Sequence, residues 1–168
     1  MDAGPGPITI PAVRLGLYRV AALVLLATAV GCAEQKRVYQ VDVFNYTPSL
    51  ICIGLVKTGS DPEAGWQSPE DVALRVPQMM DRHWGTIVEP GKSASIGPVR
   101  GRFKPKGEAY LRVYQGDPII EDLLTYSRGS PQRLDLWLEP GVRSAFIVNE
   151  RAGRLDAVPL RVPPELSQ

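Results

Sequence analysis

From Arg37 to Leu160 the chain is built of short runs in which apolar and polar residues alternate, and proline or glycine interrupts every run. Alternation with period two lays one face of an extended strand on a core and the other in water. In RVYQVDVFNY, Tyr39, Val41 and Val43 alternate with Gln40 and Asp42, and Asn45-Tyr46-Thr47-Pro48 then supplies turn chemistry. Leu50 to Val56 is apolar on both faces apart from Gly54, which is the pattern of a central strand. Glu108 to Gln115 places Ala109, Leu111 and Val113 on one face. Leu134 to Leu138, Ala145 to Val148 and Leu155 to Leu160 are further strands, with Asn149 to Arg154 a polar loop. Ile119 to Leu124 fits a short helix and a strand equally well.

Two segments repeat a pattern. Ile87-Val88-Glu89-Pro90-Gly91 and Trp137-Leu138-Glu139-Pro140-Gly141 are each followed by a second strand. Pro then Gly at the centre of a turn fits type II, in which glycine supplies the positive φ. That turn does not match the twist of a tight hairpin, so both are expected to be corners between sheets. Turn chemistry alone accounts for the similarity. The best helix start is Ser68-Pro69-Glu70-Asp71: Ser68 caps, Pro69 suits the first helical position, and Asp71 completes a capping box. Pro77 is expected to break this helix, and Pro77 to Trp84 to form a further helical turn ended by Gly85.

Seven or eight short strands with one short helical insert imply a mainly β fold. The expectation is an antiparallel β-sandwich, immunoglobulin- or transthyretin-like, over residues 37–160, with a small barrel as the alternative. Residues 161–168, VPPELSQ after Arg161, form a polar tail expected to be flexible.

Ahead of this body lies an uncharged run, Val20 to Gly31, preceded by Arg14 and Arg19 and ending in small residues. A positive segment, an apolar segment and a small-residue cleavage site are the layout of a secretory signal. The run is too short for a membrane span, which needs about 20 apolar residues. Ala29-Val30-Gly31-Cys32 resembles the lipobox of bacterial lipoproteins, in which a diacylglycerol is joined to the cysteine sulfur and the peptide is cut before it. The resemblance covers the first fifth of the chain. It implies a signal peptide over residues 1–31 with an N-terminal signal helix, cleavage between Gly31 and Cys32, and a membrane anchor through lipid on Cys32. Ala29 stands where the family prefers leucine. Ala33 follows the cysteine; in many Gram-negative lipoproteins an aspartate there retains the protein at the inner membrane, so its absence resembles outer-membrane sorting in the cell envelope. Residues 32–36 would be the lipidated cysteine and a short tether, which holds the body within about 15–20 Å of the membrane. MDAGPGPITIPAV is an unusual start, rich in proline and glycine, and points to translation beginning nearer Val13; a precursor peptide starting at Met1 would rule that out.

Removing residues 1–31 leaves 137 of the 168 residues, a single-domain length. It takes away Asp2, Arg14 and Arg19, so that 19 basic and 18 acidic residues become 17 of each. A neutral body gives no general attraction to nucleic acid. With Cys32 lipidated, Cys52 has no partner for a disulfide; it lies in the apolar run LICIGLV and reads as a small buried hydrophobe. His83 is the one histidine, so no metal-ligand set exists and no cofactor motif is present. His83 is expected at a helix end, as a cation on the dipole. Glu121-Asp122 reads as a solvated face.

Two features point to ligands. In an extended chain Arg100, Arg102, Lys104 and Lys106 project the same way and form a basic ladder, suited to an anion such as a lipid headgroup, a cell-wall polymer or an acidic protein. The competing reading is a protected edge strand, because charged side chains block edge-to-edge pairing, and it is the stronger of the two. Trp66, Trp84 and Trp137 are candidates for a sugar platform, although such residues more often fill a core or an interface; Trp66 is the best candidate for exposure because its loop is polar. The sequence therefore points to a non-enzymatic binding or structural accessory module of the envelope. A carbohydrate or cell-wall binder is second, and a hydrolase built around His83 comes last.

Overall fold

The computed structural model describes residues 34–160. The expected signal peptide over 1–31, the expected cleavage between Gly31 and Cys32, the expected lipidation of Cys32 and the tail 161–168 all fall outside the described residues.

Among the described residues, eight strands form two four-stranded sheets. The strands are β1 (Gln35–Asn45), β2 (Ile51–Thr58), β3 (Thr86–Val88), β4 (Ser93–Phe103), β5 (Glu108–Gln115), β6 (Arg133–Leu138), β7 (Arg143–Arg151) and β8 (Arg154–Leu160). One sheet has the order β4-β1-β7-β8 and the other β3-β2-β5-β6. Every pairing is antiparallel except β1 with β7, which run parallel from Gln40↔Arg143 to Asn45↔Val148. The body is thus a β-sandwich with one parallel seam. In the immunoglobulin arrangement the first, second, fifth and fourth strands share a sheet. Here the first and second strands lie in different sheets, so the strand order is not the immunoglobulin one.

Alternation along the strands builds the core between the sheets. Tyr39, Val41 and Val43 of β1 and Phe146 and Val148 of β7 face Ile51, Ile53 and Leu55 of β2 and Ala109, Leu111 and Val113 of β5. β2 is apolar on both faces because its other face is covered too. A second cluster on the outside of that sheet packs Cys52, Val56 and Tyr114 against Val72, Trp84, Ile120 and Leu123. Gly54 is explained by this cover: a Cβ there would lie 2.6 Å from the Trp84 ring, so only glycine lets the indole rest on the strand.

The cover comes from helix α1 (Pro69–Arg75), a 3-10 turn at Pro77–Met79 and helix α2 (Ile120–Leu123). Ser68 caps α1: its hydroxyl accepts the Asp71 N–H, and the Asp71 carboxylate accepts the Ser68 N–H, which is the expected capping box. The helix ends ahead of Pro77. The helical turn expected as far as Trp84 stops at Met79, because the Arg82 carbonyl accepts from Ile120 N–H and His83 bridges to Ile119, which holds this stretch extended against the next segment. Ile119 to Leu124 resolves as the short helix.

Both Glu-Pro-Gly segments carry the chain from one sheet to the other, β3 to β4 and β6 to β7. Gly91 and Gly141 have φ of 70° and 77°, as type II turns require. Two boundaries differ from expectation. β1 begins at Gln35, two residues early, because Gln35 and Lys36 pair with Phe103 and Arg102 of β4. Asn149 to Arg154 is mostly strand, and only Ala152 and Gly153 turn. Both have positive φ, the geometry of a two-residue hairpin loop.

Candidate functional site

The basic ladder sits on an edge. β4 pairs on one side only, with β1. Arg100 and Arg102 are exposed and alternate with Gly101 and Phe103, which are buried. The ladder ends there. Lys104 follows the last strand residue, and Lys106 lies in a turn with φ of 72°, so the four cations are not one extended row. Part of the charge is also met. Lys104 pairs with Asp61 at 3.1 Å, and Glu63 accepts the Arg102 N–H at 2.8 Å and the Lys57 ammonium at 3.0 Å. The hydrogen bonds to Arg102 and Lys57 hold the Glu63 carboxyl below its ordinary range.

Trp66 is not on the surface. It is 0% exposed, with its ring edge-on to Tyr39 at 5.2 Å and to Phe103 at 5.3 Å, and its indole N–H donates to the Arg100 carbonyl at 3.1 Å. A polar loop misled the expectation: the loop runs along the outer edge of β4 and folds its one aromatic residue inward into the core. Trp84 is buried as well, its N–H donating to the Gln67 carbonyl. Trp137 is 55% exposed on β6. It borders a groove of about 520 Å³ lined by Gln35, Arg37, Lys106, Glu108 and Pro140. Arg37 is held in place there, over the Phe103 ring at 5.2 Å and donating to the Gly107 carbonyl at 2.8 Å.

His83 is not at a helix end. Its Nδ1 lies 2.7 Å from an Asp117 carboxylate oxygen, with both side chains partly exposed. No group of three or more His, Cys, Asp or Glu that could hold a metal occurs among the described residues. Cys52 is buried with its thiol on the Trp84 carbonyl, and burial, with a smaller contribution from the Asp117 charge, pushes it up to about 12. Glu121 and Asp122 are exposed on α2.

The densest polar constellation was not singled out from the sequence. Arg112 on β5 and Arg133 and Asp135 on β6 point outward from their sheet, beneath Glu70 of α1. Arg112 Nε donates to Asp135 at 2.8 Å and its Nη1 to Glu70 at 3.0 Å; Arg133 reaches Asp135 at 2.9 Å and Glu70 at 3.4 Å. Burial works against the Asp135 charge, but hydrogen bonds from both arginines outweigh it and hold the carboxyl below its ordinary value. Beside them Tyr114 is buried without a partner for its hydroxyl, and burial pushes it up to about 12. In EAYLRVYQ the residue Arg112 breaks an otherwise apolar and aromatic strand, and that is the one signal the sequence offered.

No protein-family model matches the chain, and no curated protein matches its sequence. Among solved structures, the crystal structure of the T6SS lipoprotein TssJ1 from Pseudomonas aeruginosa is similar over 77% of this chain and 100% of that chain, with 10% sequence identity and a TM-score of 0.38. At that identity and TM-score the likeness bears on neither ligands nor partners.

Proposed function

We propose that the chain is an envelope lipoprotein, anchored through Cys32 at the outer membrane, whose sandwich works as a binding or structural accessory module rather than as an enzyme. The lipobox-like Ala29-Val30-Gly31-Cys32 supports the anchor. The observation that carries the module reading is the outer face of the β4-β1-β7-β8 sheet. By register and alternation, Phe44, Ile147 and Val158 form one row across three strands, and Ala145 and Leu160 lie in the next. Val158 and Leu160 are exposed, and so is Tyr46, whose ring lies 6.2 Å from that of Phe44. Apolar side chains gathered on one outer sheet face suit an interaction surface. Intact mass of the membrane-extracted chain tests the anchor: a lipid-sized increment on a chain starting at Cys32, absent after Cys32→Ala, is expected. An unmodified chain would refute it.

One observation favours a second reading. Trp137 stands exposed beside a groove that also offers Arg37, Lys106 and Glu108, a combination suited to a carbohydrate or cell-wall ring with polar substituents. Retention on purified cell wall, lost in Trp137→Ala, is the result this reading expects.

A further inference from the structure

Two hollows open on either side of Arg128 and Arg133. The first, about 190 Å³, is lined by Thr58, Glu108, Tyr110, Arg112, Arg128, Arg133 and Asp135. The second, about 230 Å³, shares Arg128, Arg133 and Asp135 and adds Ser130 and Arg154. With Glu70 of α1, which pairs with Arg112 and Arg133, four arginines thus meet three carboxylates, and all three carboxylates are engaged. Asp135 is held by Arg112 and Arg133, and Glu108 accepts the Tyr110 hydroxyl at 2.5 Å. Arg128 is exposed and makes no hydrogen bond or ion pair among the described residues. Arg154 donates to a neutral acceptor, the Gly129 carbonyl at 3.0 Å. Arg133 Nε is buried without an acceptor.

We infer that the paired hollows around Arg128, Arg133 and Arg154 bind a phosphate-type oxyanion carried on a small polar molecule. Guanidinium groups take phosphate oxygens in bidentate fashion, and Arg128 and Arg154 flank the second hollow with no carboxylate of their own. Arg133 is fixed by its own ion pairs and forms the wall common to both hollows, which makes it a rigid centre for the site. Each hollow is of the size of one phosphoryl group with its immediate substituents, and their shared wall suits a diphosphate or a sugar phosphate better than one isolated ion.

The test is calorimetric titration of the full chain, purified from cells, with inorganic phosphate, pyrophosphate and glucose 1-phosphate at about 150 mM salt, where diffuse attraction is largely screened. Saturable binding of at least one of these anions is expected. It should weaken about tenfold or more in Arg128→Ala and in Arg154→Ala, and stay unchanged in Arg100→Ala on the far edge strand. Arg128→Ala removes no structural bond, so its thermal midpoint should equal that of the parent even if Arg154→Ala loosens the loop. The absence of saturable binding for all three anions overturns the inference. So does equal weakening in Arg100→Ala, which would reduce the effect to general surface charge.

Discussion

Arg112 and Asp135 face each other across the β5–β6 ladder, with Nε to carboxylate at 2.8 Å, and the pair is nearly closed off from water beneath α1. Asp135 also holds Arg133, so one carboxylate anchors two guanidinium groups that the fold has taken out of solvent. Its ionisation therefore couples to stability. The folded carboxyl titrates below the ordinary value of 3.8. The stabilisation is complete above that value, where the unfolded chain is ionised too, and fades as pH falls through the folded value, because the unfolded chain takes up the proton first. Asp135→Asn should cost about 3 kcal/mol near neutral pH, since two buried cations lose their shared counterion, and should flatten the loss of stability below pH 4. Urea midpoints between pH 3 and 7 measure both. Parallel acid limbs in the two proteins would refute the coupling.

Trp66 packs into the core against Tyr39 and Phe103. Trp66→Ala should destabilise the body by roughly 3–5 kcal/mol, as expected for a fully buried large aromatic residue, and should leave the Arg100 carbonyl without its donor. Trp66→Phe should recover most of that loss. A sugar-binding role at Trp66 predicts the reverse, a small stability change with lost retention on cell wall, so denaturant melts of the two variants separate packing from recognition.

The β7–β8 hairpin turns on Ala152 and Gly153, at φ of 53° and 73°. Asparagine tolerates positive φ better than alanine at the first of these positions. Ala152→Asn should stabilise the protein by roughly 0.5–1 kcal/mol without altering the denaturant slope. A lower midpoint would mean that the turn is not under this strain.

The layered architecture was legible because its signals are local. Alternation in RVYQVDV, the Ser68–Asp71 capping box and the two Glu-Pro-Gly corners each encode their own geometry within a few residues. What was not legible depends on partners distant in sequence. The parallel seam of β1 with β7 joins segments about a hundred residues apart, and no residue in either strand marks parallel over antiparallel pairing. Trp66 looked exposed because its neighbours are polar, yet its environment is set by Tyr39 and Phe103. The Arg112 network was missed for the same reason: Glu70, Arg112 and the Arg133–Asp135 pair lie in three separate stretches, and α1 brings the first over the sheet that carries the other two. Lys106 left the basic ladder because the chain must turn there to reach β5.

β4 is an eleven-residue edge strand, and such an edge offers unpaired backbone groups to any other strand; at its end the Arg100 carbonyl and the Arg102 N–H are already taken by Trp66 and Glu63. Arg100 and Arg102 are the exposed side chains at its final turn-ward half, opposite Val38 and Lys36 of β1. If their role is to keep this edge solitary, Arg100→Val with Arg102→Val should leave the thermal midpoint nearly unchanged, because solvent-facing charges of this kind contribute less than about 1 kcal/mol each. The same double variant should associate in a concentration-dependent way, since two β-branched residues now favour strand pairing. Light scattering across a dilution series reads this directly. A double variant that stays monomeric at the concentrations where the parent does would assign the two arginines to ligand contact instead, and binding of the parent, but not the variant, to vesicles of anionic lipid would then be the expected companion result.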